Sequence, residues 1–386
     1  MEKITRLALT ALGVIALLLT VSTPSLAGSG ELLWKYKADG AIWGDVVVRG
    51  KTAYFGSDDN HMYAVDIGRQ SLKWKAKTRG IVRSTPAFKR GHIYFTSDDG
   101  FLYALDKRTG ALSWRLDLGD GDFVRNGPSN EPPWDYDWSK SSPVVAGQTL
   151  YVGSATGTFY AVNPYSGEVK WTYKVSTPIR ATPSVFGKYV YFTNLGGEVT
   201  ALNRKNGSVY WVFATGGRVV SQPSVIDGKV IVGGRDAHLY GINALTGELD
   251  WKYFYTDGSW VESSAIPGDE ENTFFIASSD AKKVSKFDST TGVEIWNTPM
   301  PGWSWGTPRL ADDVLYIGST ATDDYWQPIS RGFKAIDAET GDVLWQYQPA
   351  HVEQGFVNGG VHARPAVKFG KVFVGDVDGH LYVFEE

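Results

Sequence analysis

Three features of the sequence predict an all-β fold, an eight-bladed β-propeller of four-stranded antiparallel blades. Eight tryptophans recur close to every forty residues, short strand-and-turn phrases fill each interval, and a last repeat is divided between the two ends of the chain. The tryptophans are Trp34, Trp74, Trp114, Trp171, Trp211, Trp251, Trp296 and Trp345. Four of the seven intervals are 40 residues, and the others are 57, 45 and 49. Similar phrases lead into them, from SGELLW at Trp34 through TGALSW at Trp114 to TGDVLW at Trp345. A flat ring at a fixed place in every blade wedges against its neighbour, so all eight read as structural.

One repeat shows the predicted elements in order. In residues 81–116, IVRSTPAF reads as a first strand, IYFTS as a second, FLYALD as a third and ALSWRL as a fourth. SDDG and KRTG are the turns between them, and apolar and polar residues alternate within the strands. No window after the N-terminus keeps a helical period over three turns. The last repeat has three strands, VHARPAV, VFVGD and HLYVFEE, and then ends without its tryptophan phrase. That phrase stands at residues 29–36, as SGELLWKY. The N-terminal strand is therefore expected to complete the last blade and close the ring, leaving no long sheet edge exposed.

Residues 1–27 have the form of a secretory signal. Lys3 and Arg6 precede the apolar run LALTALGVIALLLTV, and Ser25-Leu26-Ala27 has the small-x-small form of a cleavage site. The run is short for a membrane span. Without this segment the formal net charge moves from −4 to −5, an acidic balance that argues against nucleic acid as a partner. Cysteine is absent, which excludes disulfides, thiolate metal sites, covalent c-type haem and a lipidated cysteine. The expectation is one domain over residues 28–386, soluble and extracytoplasmic (periplasmic or secreted), with no lipid anchor and no membrane span after cleavage.

Insertions point to a functional face. From a repeat Trp to the start of the next innermost strand is usually 9 residues, as from Trp74 to Arg83. It is 26 before blade three, 17 before blade eight and 11 before blade six. A further insertion, STATDDYWQPISRG, lies between the second and third strands of blade seven. Up-and-down topology puts all four on one face, whereas drift of surface loops predicts no side preference. The longest loop holds Asp120, Asp122, Arg125, Asn126, Asn130, Trp134, Asp135, Tyr136, Asp137 and Trp138. The blade-seven loop holds Asp323, Asp324, Tyr325 and Trp326, and the last holds His351, Glu353, Asn358 and His362. Such loops suit a ligand or partner, or else pack on one another and plug the channel.

The channel mouth on that face is also legible. The residue three before the recurrent proline reads, around the ring, Trp43, Arg83, Lys140, Arg180, Val220, Glu262, Trp305 and His362. Two residues earlier stand Trp138, Arg218, Trp260 and Trp303. Indoles interleaved with cations fit a small anionic, planar or carbohydrate ligand, and the bland alternative is a water-filled channel with solvated charges. Trp43, Arg83, Trp138, Lys140, Arg180, Arg218, Trp260, Trp303, Trp305, Asn358 and His362 are thus the candidate binding residues. Glu262 is the candidate metal ligand. No catalytic residue can be assigned from these patterns alone.

The phrase ALDKRTGALSW, with AVNPYSGEVKW and AIDAETGDVLW, resembles the tryptophan-docking repeat of the pyrroloquinoline quinone (PQQ) propeller superfamily. The resemblance covers residues 28–386 and implies the propeller fold. It implies two kinds of function. Quinoprotein dehydrogenases of alcohols or sugars would hold PQQ and Ca²⁺ on the axis. Glu262 would then be a metal ligand and Arg83, Arg180 and Trp305 would meet the quinone. Asp135, Asp137, Asp323 or Asp324 would act as the base. The adjacent cysteine pair of many such enzymes cannot exist here. The second kind resembles the propeller lipoprotein of the outer-membrane β-barrel assembly machine, a scaffold, though the lipid-bearing cysteine is missing. The leading expectation is a binding or scaffold protein. It would use the inserted face for a small anionic or carbohydrate ligand or another extracytoplasmic protein. A PQQ- and Ca²⁺-dependent dehydrogenase is the alternative.

Overall fold

A computed structural model describes residues 29–121, 124, 125, 137, 138, 140–323, 329–352 and 356–386. The expected leader at 1–27 lies outside these residues. So do Asp122, Asn126, Asn130, Trp134, Asp135, Tyr136, Asp324, Tyr325, Trp326 and Glu353. The described chain forms eight four-stranded antiparallel sheets and no helix. Blade 2 is representative, with strands Ala87–Lys89, His92–Thr96, Phe101–Asp106 and Leu112–Asp117.

Two sequence expectations are refined. The innermost strand is only Ala87–Lys89, and residues 81–86 ahead of it have no ladder partner. Pro86 has no N–H to donate, and the polar residue before it bonds sideways to the next blade. Asp45 N–H donates to Thr85 Oγ1 at 3.2 Å, Thr85 N–H to Ser142 Oγ at 2.9 Å and Gln222 N–H to Ser264 Oγ at 2.9 Å. The expected alternation of burial holds only in outermost strands such as Leu112–Asp117. The second and third strands, such as His92–Thr96 and Phe101–Asp106, are buried almost throughout. Both of their faces meet neighbouring blades, so neither face is left for water.

The TGxxxW phrase docks one blade on the next. Gly110, Gly167, Gly207, Gly247, Gly292 and Gly341 hold φ between 70° and 80° against the preceding blade's Trp ring. A Cβ at Gly247 would stand 2.7 Å from Trp211. Trp74, Trp114, Trp171, Trp211 and Trp251 donate their indole N–H to a carbonyl of the following blade, at 2.8–3.2 Å. In blade 1 the glycine is replaced by Gln70, which keeps the left-handed φ of 54°.

The ring closes as the divided repeat predicts. Leu32–Lys37 pairs antiparallel with His380–Glu385 as the outermost strand of blade 8, with Tyr36 opposite Leu381. Gly30, at φ 66°, packs on the ring of Trp345 as its counterparts do on theirs.

Candidate functional site

The mouth on the inserted face is stoppered. Trp43, Trp138, Trp303 and Trp305 form one buried cluster with Val357 and Val377. Trp138 stacks on Trp305 with centroids 5.7 Å apart and planes 5° apart, and Trp303 stacks on Trp305 at 4.8 Å and 13°. Phe356 continues the stack from Trp303 at 6.0 Å. Three of the indole N–H groups are satisfied. Trp138 donates to Glu262 Oε2 at 3.2 Å, Trp303 to Asp280 Oδ1 at 3.0 Å and Trp305 to Ser279 Oγ at 2.9 Å. Trp305 is only 8% exposed, so the alternative of a water-filled mouth does not hold there. The loops do pack on one another, and the longest one supplies Trp138 as the plug.

The mouth cations have carboxylate partners. Arg83 meets Asp58 in a two-pronged contact at 2.9 and 2.7 Å, with its guanidinium 4.8 Å over the Trp43 ring. Lys140 lies 3.3 Å from Asp120 and 3.8 Å from Asp98. Arg180 meets Asp137, and Arg125 bridges Asp137 and Asp98. Arg235 donates to Glu262 Oε1 at 2.5 Å and lies 4.5 Å over the Trp260 ring. Burial pulls Lys140 below the usual lysine range, opposed by Asp120 and Asp98. Burial pushes the Asp98 carboxyl up, but the Arg125 hydrogen bond and charge outweigh it and hold it low.

A rule of neighbours emerges. Four mouth residues meet the residue in the second-to-third-strand turn of the preceding blade, whereas Arg180 pairs with Asp137 of the longest loop and His362 with the Trp43 carbonyl. Asp58 serves Arg83, Asp98 faces Lys140, Arg235 serves Glu262 with the signs exchanged, and Ser279 serves Trp305. Val377 and Trp43 meet as an apolar pair in the same series. The turn residues were missed as site residues. Their signal is the doubled acid of SDDN and SDDG. The first acid faces the channel and the second ties back to its own blade, as Asp99 accepts from Tyr103 at 2.5 Å.

His362 sits edge-on to Trp138 at 4.1 Å. Its Nδ1–H donates to the Trp43 carbonyl at 2.8 Å, which leaves a lone pair on Nε2. That atom is sealed from solvent and meets no partner among the described residues. Burial first, and then Arg83, holds the imidazole down to about 4 against the Trp43 bond. Below the stopper, Trp43, Arg83, Trp138, Lys140, Arg180, Glu262, Trp305 and His362 line a cavity of about 100 Å³.

The remaining candidates stand apart from this cavity. Arg218 is exposed, Trp260 is covered by Arg235, and Asn358 is buried in the last loop. Asn358 N–H donates to Ala321 O and its own carbonyl accepts from Val352 N–H, both at 2.9 Å, tying two inserted loops together. His351 and Asp323 join the same loops at 2.8 Å.

The geometry does not fit PQQ with Ca²⁺. The cavity is well below the ~300–1,000 Å³ of cofactor pockets, and indoles stacked on one another leave no slot for a planar ring. Both Glu262 oxygens are engaged by Arg235 and Trp138, so its reading as a metal ligand is replaced by a role as charge partner. Among the described residues no group of three His, Cys, Asp or Glu is arranged to hold a metal ion.

The family described as "Beta-alanine-activating enzyme, beta-propeller" matches residues 23–326. The chain belongs to this family. No curated protein matches it. BamB from Moraxella catarrhalis is similar in structure, with a TM-score of 0.70 at 15% identity over 92% of this chain and 99% of that one. A europium-containing methanol dehydrogenase has a TM-score of 0.64 at 15% identity over 92% of this chain and 93% of that one. The computationally designed Ika8 protein reaches 0.70 at 15% identity over 91% and 98%. At this identity the likeness is one of fold. No helix among the described residues is long and apolar enough to cross a membrane.

Proposed function

We propose that this chain is a non-catalytic binding and scaffold propeller working outside the cytoplasm, and that a partner protein docks on the face carrying the inserted loops. The observation that carries this reading is the stack of Trp138, Trp305 and Trp303. It fills the axis where a catalytic propeller of this repeat type would hold its planar cofactor. It leaves the loop surface above as the feature that sets this face apart from the repeat. The loops are braced for that role by the Asp323–His351 contact and by the arginine pairs beneath them. A small anion at the mouth would have to displace the carboxylates that already meet Arg83, Lys140 and Arg180, which weighs for a macromolecular partner. BamB, a structural neighbour, lends support to the scaffold reading. The signal-like segment at 1–27 is the ground for the location.

The test is photo-crosslinking in cells. A crosslinking amino acid at Val124, 82% exposed on the inserted face, is expected to capture a discrete protein partner. The same residue at Phe369, 60% exposed on the opposite end, is expected to capture none. The reverse pattern inverts the face assignment. Stoichiometric uptake of PQQ with Ca²⁺ and dye-linked alcohol oxidation would replace this reading with the quinoprotein one.

A further inference from the structure

The channel below the stopper departs from the repeat at two adjacent places. The residue just before the recurrent proline is small or uncharged in most blades, as Thr85, Ser142, Thr182, Ser264 and Thr307. In blade 8 it is Arg364. Immediately after that proline position stand Val47, Ala87, Val144, Ser184 and their like, but blade 7 has Arg309. Both share strand parity with residues that line the channel, Arg364 with His362 and Arg309 with Trp305 and Thr307. Their strands, Arg309–Ala311 and the one beginning at Ala366, are innermost in neighbouring blades.

These two arginines are not neutralised as the mouth cations are. The Nε of each is sealed from solvent, and no acceptor among the described residues meets it. The carboxylate beside Arg364 is Asp45, whose Oδ1 accepts the Arg364 backbone N–H at 3.0 Å rather than its guanidinium. Burial lowers the Arg364 pKa, Asp45 opposes this, and the like charge of Arg309 in the neighbouring blade adds to it. A buried donor without an acceptor is costly, and a like charge in the neighbouring blade adds to that cost. A bound anion relieves both.

We infer that Arg309 and Arg364 form an anion site inside the channel, reached from the end opposite the inserted loops and taking a small oxyanion, a carboxylate or phosphate group. Two planar forks of N–H donors match the paired oxygens of such a group. The approach is from the opposite end because the inserted end is closed by tryptophan. This site shares no residue with the partner face proposed above, and neither depends on the other.

The test is titration calorimetry at low ionic strength with inorganic phosphate and, separately, with acetate. The wild type is expected to bind one of them saturably at one site per chain. Phosphate alone assigns the site to phosphoryl groups and acetate alone to carboxylates. Arg309→Gln and Arg364→Gln should each weaken that binding at least 10-fold. Lys205→Gln, exposed on the same end but far from the axis, should not. Thermal melting of the unmodified protein is the second measurement. The binding anion should raise the melting temperature above that in sodium chloride of equal ionic strength. Absence of saturable binding by both anions, an unchanged affinity in both arginine variants, or no anion-specific rise in melting temperature would overturn the inference.

Discussion

Trp305 shows how residue type and position can be read while environment is not. The sequence places it on the inserted face, in the segment just ahead of an innermost strand. It gives no sign that Trp138, from a loop 26 residues long, and Trp303 both stack on it. The local phrase WSWGTP would look the same in an open channel. Trp305→Ala is therefore expected to cost about 3–5 kcal/mol, the range of a buried aromatic, rather than the small loss of a solvated one. Urea unfolding beside Trp114→Ala measures this, and a loss below about 1 kcal/mol would mean that the stack is loose in solution. His362 adds a pH dependence. Its folded pKa of about 4 lies below the ordinary 6.5, so the unfolded chain takes up the proton first as pH falls. Its stability contribution is complete above pH ~6.5 and is lost towards pH ~4, by about 3 kcal/mol in all. His362→Gln should flatten that part of the stability profile between pH 7 and 4.5, and an unchanged slope would place the titration elsewhere.

At the scale of the element, the blade was legible because its signals are local. Turn glycines, the Trp phrase and the recurrent proline each act within a few residues. Gly247 at φ 77° under Trp211 is the physical reason for the TG pair, and Gln70 shows the backbone demand surviving the loss of glycine. The mouth pairing was not legible because it joins adjacent blades. Arg83 is read as a free cation until Asp58 of the previous turn is set beside it, and Arg235 with Glu262 has the charges exchanged. This pair gives a prediction. Arg235→Ala leaves Glu262 buried beside a single indole N–H and should cost about 3–5 kcal/mol. The double change Arg235→Leu with Glu262→Val copies the apolar pair Leu195 and Val220 at the equivalent positions of blades 4 and 5. It should recover most of that loss, to within about 1–2 kcal/mol of wild type, because both buried charges leave together. Denaturation midpoints of the two variants and the wild type decide it. A double variant as weak as the single one would show that packing, not charge, governs the mouth.

At the scale of the whole molecule, the fold depends on one long-range decision, the union of the chain's two ends. Each other blade is built from a contiguous stretch and can form its own four-stranded sheet. Blade 8 needs Leu32–Lys37 to meet His380–Glu385 across more than three hundred residues. Several contacts hold this union. Beyond the ladder, Ser29 Oγ–H donates to Glu385 Oε2 at 2.8 Å, Ala38 N–H donates to Gly379 O at 2.8 Å, and Gly30 seats on Trp345. Deleting residues 29–36 removes the ladder and leaves the buried strand His380–Glu385 as a bare edge with unpaired backbone groups. The expected result is a lower melting temperature and concentration-dependent association. Gly30→Val separates docking from pairing. It keeps the strand but puts a β-branched side chain at φ 66°, where a Cβ would stand 2.5 Å from the Trp345 ring. It should melt lower than wild type yet stay monomeric, because the edge remains covered. Light scattering with thermal melting reads both variants. A deletion that elutes as a monomer with wild-type stability would mean that seven complete blades hold the ring without the terminal strand.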